Sequence, residues 1–117
     1  MAIFAIAAKP TFKAKVTVVI PGNSEDGAPE THTFVAEFKR LPKDEYDAVI
    51  ASLASGSRKS EDVLAEHLVG WSGLPDLAGN DVPFSLEHRD ALLQIPQIPP
   101  RLADAFVQNN SGAEIKN

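Results

Sequence analysis

Residues 12–39, FKAKVTVVIPGNSEDGAPETHTFVAEFK, decide the fold of this chain. Phe12–Ile20 alternates in polarity and then becomes continuously β-branched, as a strand entering a core would. Residues 21–29 are rich in turn-forming residue types and predict a loop. Thr31–Lys39 alternates again, with Phe34, Ala36 and Phe38 on one face. Two such runs around a polar loop predict an antiparallel β-hairpin.

A hairpin alone is marginal in water, so the residues that follow should stabilise it. The first helix is predicted to begin at Leu41-Pro42, because proline is tolerated at the first helical position. It should end at Gly56, a typical C-terminal cap. Between them an apolar stripe with helical spacing is formed by Tyr46, Val49, Ile50 and Leu53.

Three shorter helices are predicted after the first. Ser60 should cap the second, which Gly70 ends, and Trp71 to Pro83 should be a loop. Ser85 should cap the third helix, and the prolines within residues 95–100 should break the chain before a fourth helix from about Pro100 to Gln108. The class is α+β: an N-terminal antiparallel β-hairpin or small sheet followed by about four short helices.

The length of 117 residues predicts a single domain over residues 1–117. Residues 1–11 are predicted to be an N-terminal arm or strand, and residues 109–117 a flexible tail. The apolar start, Met1 to Ala8, lacks the positively charged residues of a signal peptide and is too short for a membrane helix.

Charge and composition argue against several classes of function. The net charge of −5 and the scattered basic residues argue against nucleic acid and anionic membranes as partners. The lack of cysteine removes thiolate metal sites, disulfides and cysteine nucleophiles, and agrees with a cytoplasmic location.

Residues capable of catalysis occur, but not in catalytic patterns. The three histidines, His32, His67 and His88, are isolated, lack the spacing of a zinc site and are interpreted as surface or half-buried. Ser72 has no nucleophile elbow around it. Acidic pairs such as Asp44-Glu45 suit helix N-termini. We therefore expect no enzyme activity, no catalytic or metal-binding residues, and no cofactor.

The segment from Trp71 to Ser85 is the most distinctive part of the sequence. It contains the sole tryptophan next to glycines, and Phe84 directly before the capping Ser85. Phe84 should fold back as a hydrophobic staple onto Arg89, Asp90 or Leu93. We interpret the segment as a packed joint between two helices, with seven structural residues: Trp71, Gly73, Asp76, Gly79, Pro83, Phe84 and Ser85.

This segment resembles the tail assembly chaperones of long-tailed bacteriophages. The resemblance is carried by Val69, Trp71, Gly73, Asp76, Gly79, Pro83, Phe84, Ser85, Leu92 and Leu93. It implies a protein of the host cytoplasm, absent from the mature virion, that binds the tape-measure protein until tail-tube subunits polymerise around it. Tape-measure protein, possibly tail-tube protein, and further copies of the chain are the partners so implied.

Binding a client requires exposed apolar surface or an unpaired strand edge. The candidate partner-binding residues are Ile3, Phe4 and Ile6 in the arm, and Phe34 and Phe38 in the hairpin. One alternative is a structural tail-completion or connector protein that stays in the virion. A small enzyme or an antitoxin-like regulator is a second alternative, which the acidic charge and the lack of catalytic motifs oppose.

Overall fold

The computed structural model describes residues 9–22 and 25–111 of the chain. Within them, one antiparallel sheet has the strand order β1-β2-β3 and helices cover one of its faces. The elements in chain order are β1 Thr11–Ile20, β2 Glu30–Lys39, α1 Lys43–Ser55, α2 Ser60–His67, β3 Leu68–Ser72, α3 Leu86–Leu93 and α4 Ile98–Ser111. The predicted α+β class is confirmed.

The predicted hairpin is formed by β1 and β2, paired from Thr11 opposite Lys39 to Ile20 opposite Glu30. The predicted faces are also correct. Phe34, Ala36 and Phe38 are buried beneath the helices, together with alternate residues of β1. The opposite face is polar, and there the Thr11 hydroxyl donates to the Glu37 carboxylate over 2.6 Å.

The sequence did not predict the third strand. Residues 68–72, assigned to the end of a helix and a loop, form β3, which pairs with β2 and places Trp71 opposite Ala36. Helix α2 therefore ends at His67. The sequence of β3, LVGWS, does not alternate in polarity and contains a glycine. Its extended form is stabilised by hydrogen bonds to β2, which a sequence pattern does not reveal.

Helices α1 and α2 each begin one residue away from the predicted start. Pro42 lies just before α1 at the N-cap position, and Lys59 rather than Ser60 is the N-cap of α2, where its N–H donates to the Asp62 carboxylate. The predicted C-cap of α1 is confirmed: Gly56 has φ 79° and donates its N–H to the Leu53 carbonyl.

Helix α4 is longer than predicted at both ends. Pro99 and Pro100 lie in its first turn, where the N–H groups that proline lacks have no intrahelical acceptor. At the other end the helix continues to Ser111, past Gln108, and the Asn109 amide donates to the Ala105 carbonyl. Of the predicted flexible tail, residues 112–117 lie outside the described part of the chain.

The core contains aromatic side chains at the end of the sheet where β1 begins. Phe12, Phe38 and Phe106 form an aromatic cluster there, with ring centroids 5.4–6.4 Å apart. His67 is buried rather than half-buried; its ring lies 5.3 Å from Phe106 and its Nδ1 donates to the Val63 carbonyl. The Tyr46 hydroxyl donates to the Val107 carbonyl and so links α1 to α4. None of the described helices has the length and apolar character needed to cross a bilayer.

Candidate functional site

Trp71 joins β3 to the segment that leads into α3. Its indole N–H donates to the Val82 carbonyl over 2.8 Å. Its ring also meets Phe84 edge to face, with centroids 4.9 Å apart and planes at 74°. The joint therefore connects a strand and a helix, not two helices as predicted, because Trp71 lies in β3. The structure places Phe84 against Trp71, a contact that the predicted staple did not include.

Residues 73–82, which we call the rim loop, form a small self-paired turn. The Asp76 N–H donates to the Asn80 carbonyl and the Val82 N–H to the Leu74 carbonyl, each over 2.8 Å. The Asp76 carboxylate accepts the N–H groups of Ala78 and Asn80, so it stabilises the turn from within. Gly79 has φ +87°, a conformation that favours glycine. The motif residues Asp76 and Gly79 thus shape the loop.

The rim loop returns to α3 through Pro83 and Ser85. The Ser85 hydroxyl accepts the His88 N–H over 3.0 Å, which confirms the predicted cap. The His88 Nδ1 donates to the Pro83 carbonyl over 2.7 Å. The Arg89 guanidinium donates to the Ala65 carbonyl over 2.6 Å and holds α3 against α2. The start of α3 is therefore fixed by caps on one side and by α2 on the other.

An open apolar groove of about 870 Å³ lies between the rim loop, the far end of the hairpin and α3. The hairpin, the rim loop and the segment from α3 to the start of α4 each contribute three large apolar lining residues. These are Val18, Ile20 and Phe34; Leu74, Leu77 and Val82; and Leu92, Ile95 and Ile98. Leu77 is fully exposed and Ile95 is 41% exposed, so apolar side chains at the edge of the groove face solvent.

The groove is lined mainly by apolar side chains. Among the described lining residues, Asp76 is the one with a carboxylate. That carboxylate already accepts two N–H groups of its own loop. Within residues 9–22 and 25–111, no three histidine or acidic side chains come together as metal ligands would. A cavity of this size with few polar groups fits apolar side chains of a ligand or partner.

The predicted partner-binding residues have different outcomes. Phe38 is wholly buried in the aromatic cluster, and Phe34 is 3% exposed at the floor of the groove, so in this fold both belong to the core and neither offers an exposed surface. They were chosen from the apolar face of β2, which the helices cover. Ile3, Phe4 and Ile6 lie outside the described residues.

Sequence reasoning missed the exposed residues of the groove, above all Leu77 and Ile95. One signal was available for Leu77: it is a large apolar residue in a loop otherwise rich in glycine, aspartate and asparagine. Ile95 had no such signal, because it lies in the predicted proline-containing break between two helices. Comparison with protein-family models, curated proteins and solved structures finds no match for this chain.

Proposed function

We propose that this chain is a non-catalytic protein-binding factor, a phage tail assembly chaperone that binds the tape-measure protein and assists tail-tube assembly in the host cytoplasm. One structural observation supports the proposal most: the open apolar groove, with Leu77 and Ile95 exposed at its edge. Exposed apolar surface of this kind on a small protein is typical of a site for a partner.

In this proposal the client enters the groove as a helix. Helical clients present apolar side chains at positions i, i+3, i+4 and i+7, and such a row needs a trough lined by apolar side chains. The groove supplies them from the sheet at Ile20 and from its two sides at Leu74 and Leu92. Each client side chain fully buried there would contribute about 1.5–3 kcal/mol.

The Trp71-to-Ser85 motif supports the proposal indirectly. Its tryptophan, glycines and Asp76 build the joint and the rim loop, which hold Leu74 and Leu77 at the edge of the groove. In this proposal the motif residues position the binding surface, and the apolar residues between them make most of the contact with the client.

Co-purification tests the proposal. The full chain is co-expressed with a tagged candidate tape-measure protein, and the complex is isolated through that tag. We expect Leu77→Asp to reduce recovery of the chain at least tenfold. Leu86→Asp is the matched control, because Leu86 is 63% exposed yet does not line the groove.

Three results would contradict the proposal. The wild-type chain would not co-purify with the tape-measure product, or the two variants would lose binding equally, or the chain would persist in purified mature virions. The last result would favour a structural tail-completion or connector protein instead.

A further inference from the structure

Strand β1 lies at an edge of the sheet. It pairs with β2 on one side, and no other described strand pairs with it. In an antiparallel strand, every second residue directs its N–H and C=O groups away from the paired neighbour. Among the described residues, no backbone–backbone hydrogen bond joins β1 to an element other than β2. The outer edge of β1 therefore presents a row of donors and acceptors with which an added strand can pair.

Helix α4 leaves a cleft open beside this edge. The cleft has a volume of about 350 Å³ and lies between residues 15–17 of β1 and α4. The helix lines it with a row of exposed polar side chains at helical spacing, Arg101, Asp104 and Gln108. We call this space the edge cleft, and it shares no lining residue with the apolar groove. A strand added to β1 would contact α4 with one of its two faces.

The edge itself is basic, although the chain has a net charge of −5. The charged side chains of β1 are Lys13 and Lys15, both exposed, and Arg101 is exposed across the edge cleft. Within residues 9–22 and 25–111, none of these three cations forms an ion pair. Carboxylates occur nearby at Asp104 in α4 and at Glu37, which lies on β2 and one strand farther from the edge.

The two lysines select which strands can pair with β1. Like charges on neighbouring strands oppose pairing, and opposite charges favour it. Two copies of β1 paired around residues 13–15 would bring lysines against lysines, which is a common protection of edge strands. Residues 1–8 of the chain carry no charged side chain and do not complement the lysines. An acidic extended segment complements both the backbone groups and the charges of this edge.

We propose that the outer edge of β1 binds an extended, acidic segment of a partner protein as a fourth strand of the sheet. Backbone hydrogen bonds provide the affinity in this mode of recognition. Acidic side chains at alternate positions of the segment would lie beside Lys13 and Lys15. The side chains between them would face the polar row of α4. The proposal does not rest on the tape-measure proposal, since the edge cleft and the apolar groove are separate surfaces.

A synthetic peptide tests the proposal. The probe has about eight residues that alternate glutamate with threonine, a residue type favoured in strands. Fluorescence anisotropy of the labelled peptide measures its affinity for the full chain at physiological ionic strength. We expect the double variant Lys13→Glu, Lys15→Glu to bind about tenfold more weakly, because attraction becomes repulsion. Lys59→Glu is the control, an exposed lysine outside both surfaces, and should change the affinity by less than about twofold.

Methylation of the peptide nitrogens separates strand pairing from simple attraction of charges. One peptide carries N-methyl groups at its glutamates, and another carries them at its threonines. Alternate N–H groups of a strand point to opposite edges, and only one edge of the peptide would pair with β1. We therefore expect one of the two methylated peptides to lose binding and the other to keep it. Circular dichroism checks that each variant of the chain is folded.

Five outcomes overturn the proposal. The first is no binding of the glutamate peptide up to millimolar concentration, and the second is equal affinity of the two methylated peptides. The third is an equal loss of affinity in the double variant and in Lys59→Glu. The fourth is tighter binding of a single-stranded oligonucleotide than of the peptide, which would indicate a site for nucleic acid.

The fifth outcome concerns the chain's own ends. Hydrogen exchange of the β1 amides in the free chain would be slow along the outer edge, and would accelerate when residues 2–8 or 112–117 are deleted. The occupant of the edge would then be a segment of the same chain. None of these outcomes bears on the apolar groove, which Leu77→Asp tests separately.

Discussion

The two ends of the sheet contrast in how completely they are covered. At the end where β1 begins, Phe12, Phe38 and Phe106 pack against one another, and Phe38 and Phe106 have no exposed surface. At the other end, Ile20 faces an open groove whose edge includes the fully exposed Leu77. The apolar face of the sheet is thus fully covered at one end, whereas at the other end its last residue, Ile20, lines an open groove.

The difference arises from how the helices cross the sheet. Helix α4 runs from the groove, where Ile98 lines the wall, to the aromatic cluster, where Phe106 fills the space over β1 and β2. Helix α3 is only eight residues long and is followed by a proline-containing turn, so the rim loop forms the far side of the groove. The pattern of apolar residues in the sequence therefore does not show which of them are buried in the core and which face the open groove.

The largest expected effect lies in the aromatic cluster. Phe106→Ala should lower the free energy of unfolding by about 3–5 kcal/mol, because it removes a fully buried ring and leaves a cavity. Urea unfolding followed by circular dichroism measures it. Leu86→Ala, at an exposed position, should change stability by less than about 0.5 kcal/mol. A loss below about 1 kcal/mol for Phe106→Ala would show that this end of the sheet is not the tight core described here.

The next largest loss of stability is expected at Trp71, which joins β3 to the segment that leads into α3. Trp71→Phe removes the indole N–H that donates to the Val82 carbonyl while keeping an aromatic ring near Phe84. The loss of stability should be about 1–3 kcal/mol, since a partly buried carbonyl loses its donor. Thermal unfolding measures it. A variant as stable as the wild type would mean that ring contact alone holds the rim loop.

Much of the fold could be predicted from the sequence, because it depends on local patterns. The alternation of β1 and β2, the Gly56 cap and the Ser85 cap are all local, and the structure has them as expected. The third strand could not be predicted in this way, since Leu68–Ser72 is extended only because β2 lies beside it. A short strand of this kind is specified by tertiary pairing.

The groove was predictable only in part. The motif around Trp71 indicated a special segment, and the structure makes that segment the joint and the rim loop. Phe34 and Phe38 were chosen as partner-binding residues because apolar pattern identifies a face, but it does not say which part of the face a helix covers. Ile95 belongs to the predicted proline-containing break between two helices, where no periodic pattern indicates burial, and the structure leaves it partly exposed at the groove.

A smaller effect is expected at the start of α3. Ser85→Ala removes the hydroxyl that accepts the His88 N–H and should cost about 1 kcal/mol, the usual value of a helix cap. Ser85→Asp is the matched control, because its carboxylate can accept the same N–H and should keep most of the stability. If both variants lose the same amount in thermal unfolding, the cap is not the reason for the loss.

The smallest effect on stability is expected at the edge of the groove, and it gives the sharpest test of the contrast between the two ends. Leu77→Ala should leave the free energy of unfolding within about 0.5 kcal/mol of the wild type, because the fully exposed side chain buries no surface in the folded monomer. The same substitution should weaken partner binding several-fold, since Leu77 would lose apolar contact in the complex. The free energy of unfolding is measured by urea unfolding, and the affinity for the partner by titrating the partner while following the fluorescence of Trp71. The substitution should therefore change the affinity and not the stability. A loss of stability comparable to that of Ser85→Ala would instead place Leu77 in the core, and the open end of the sheet would then be closed.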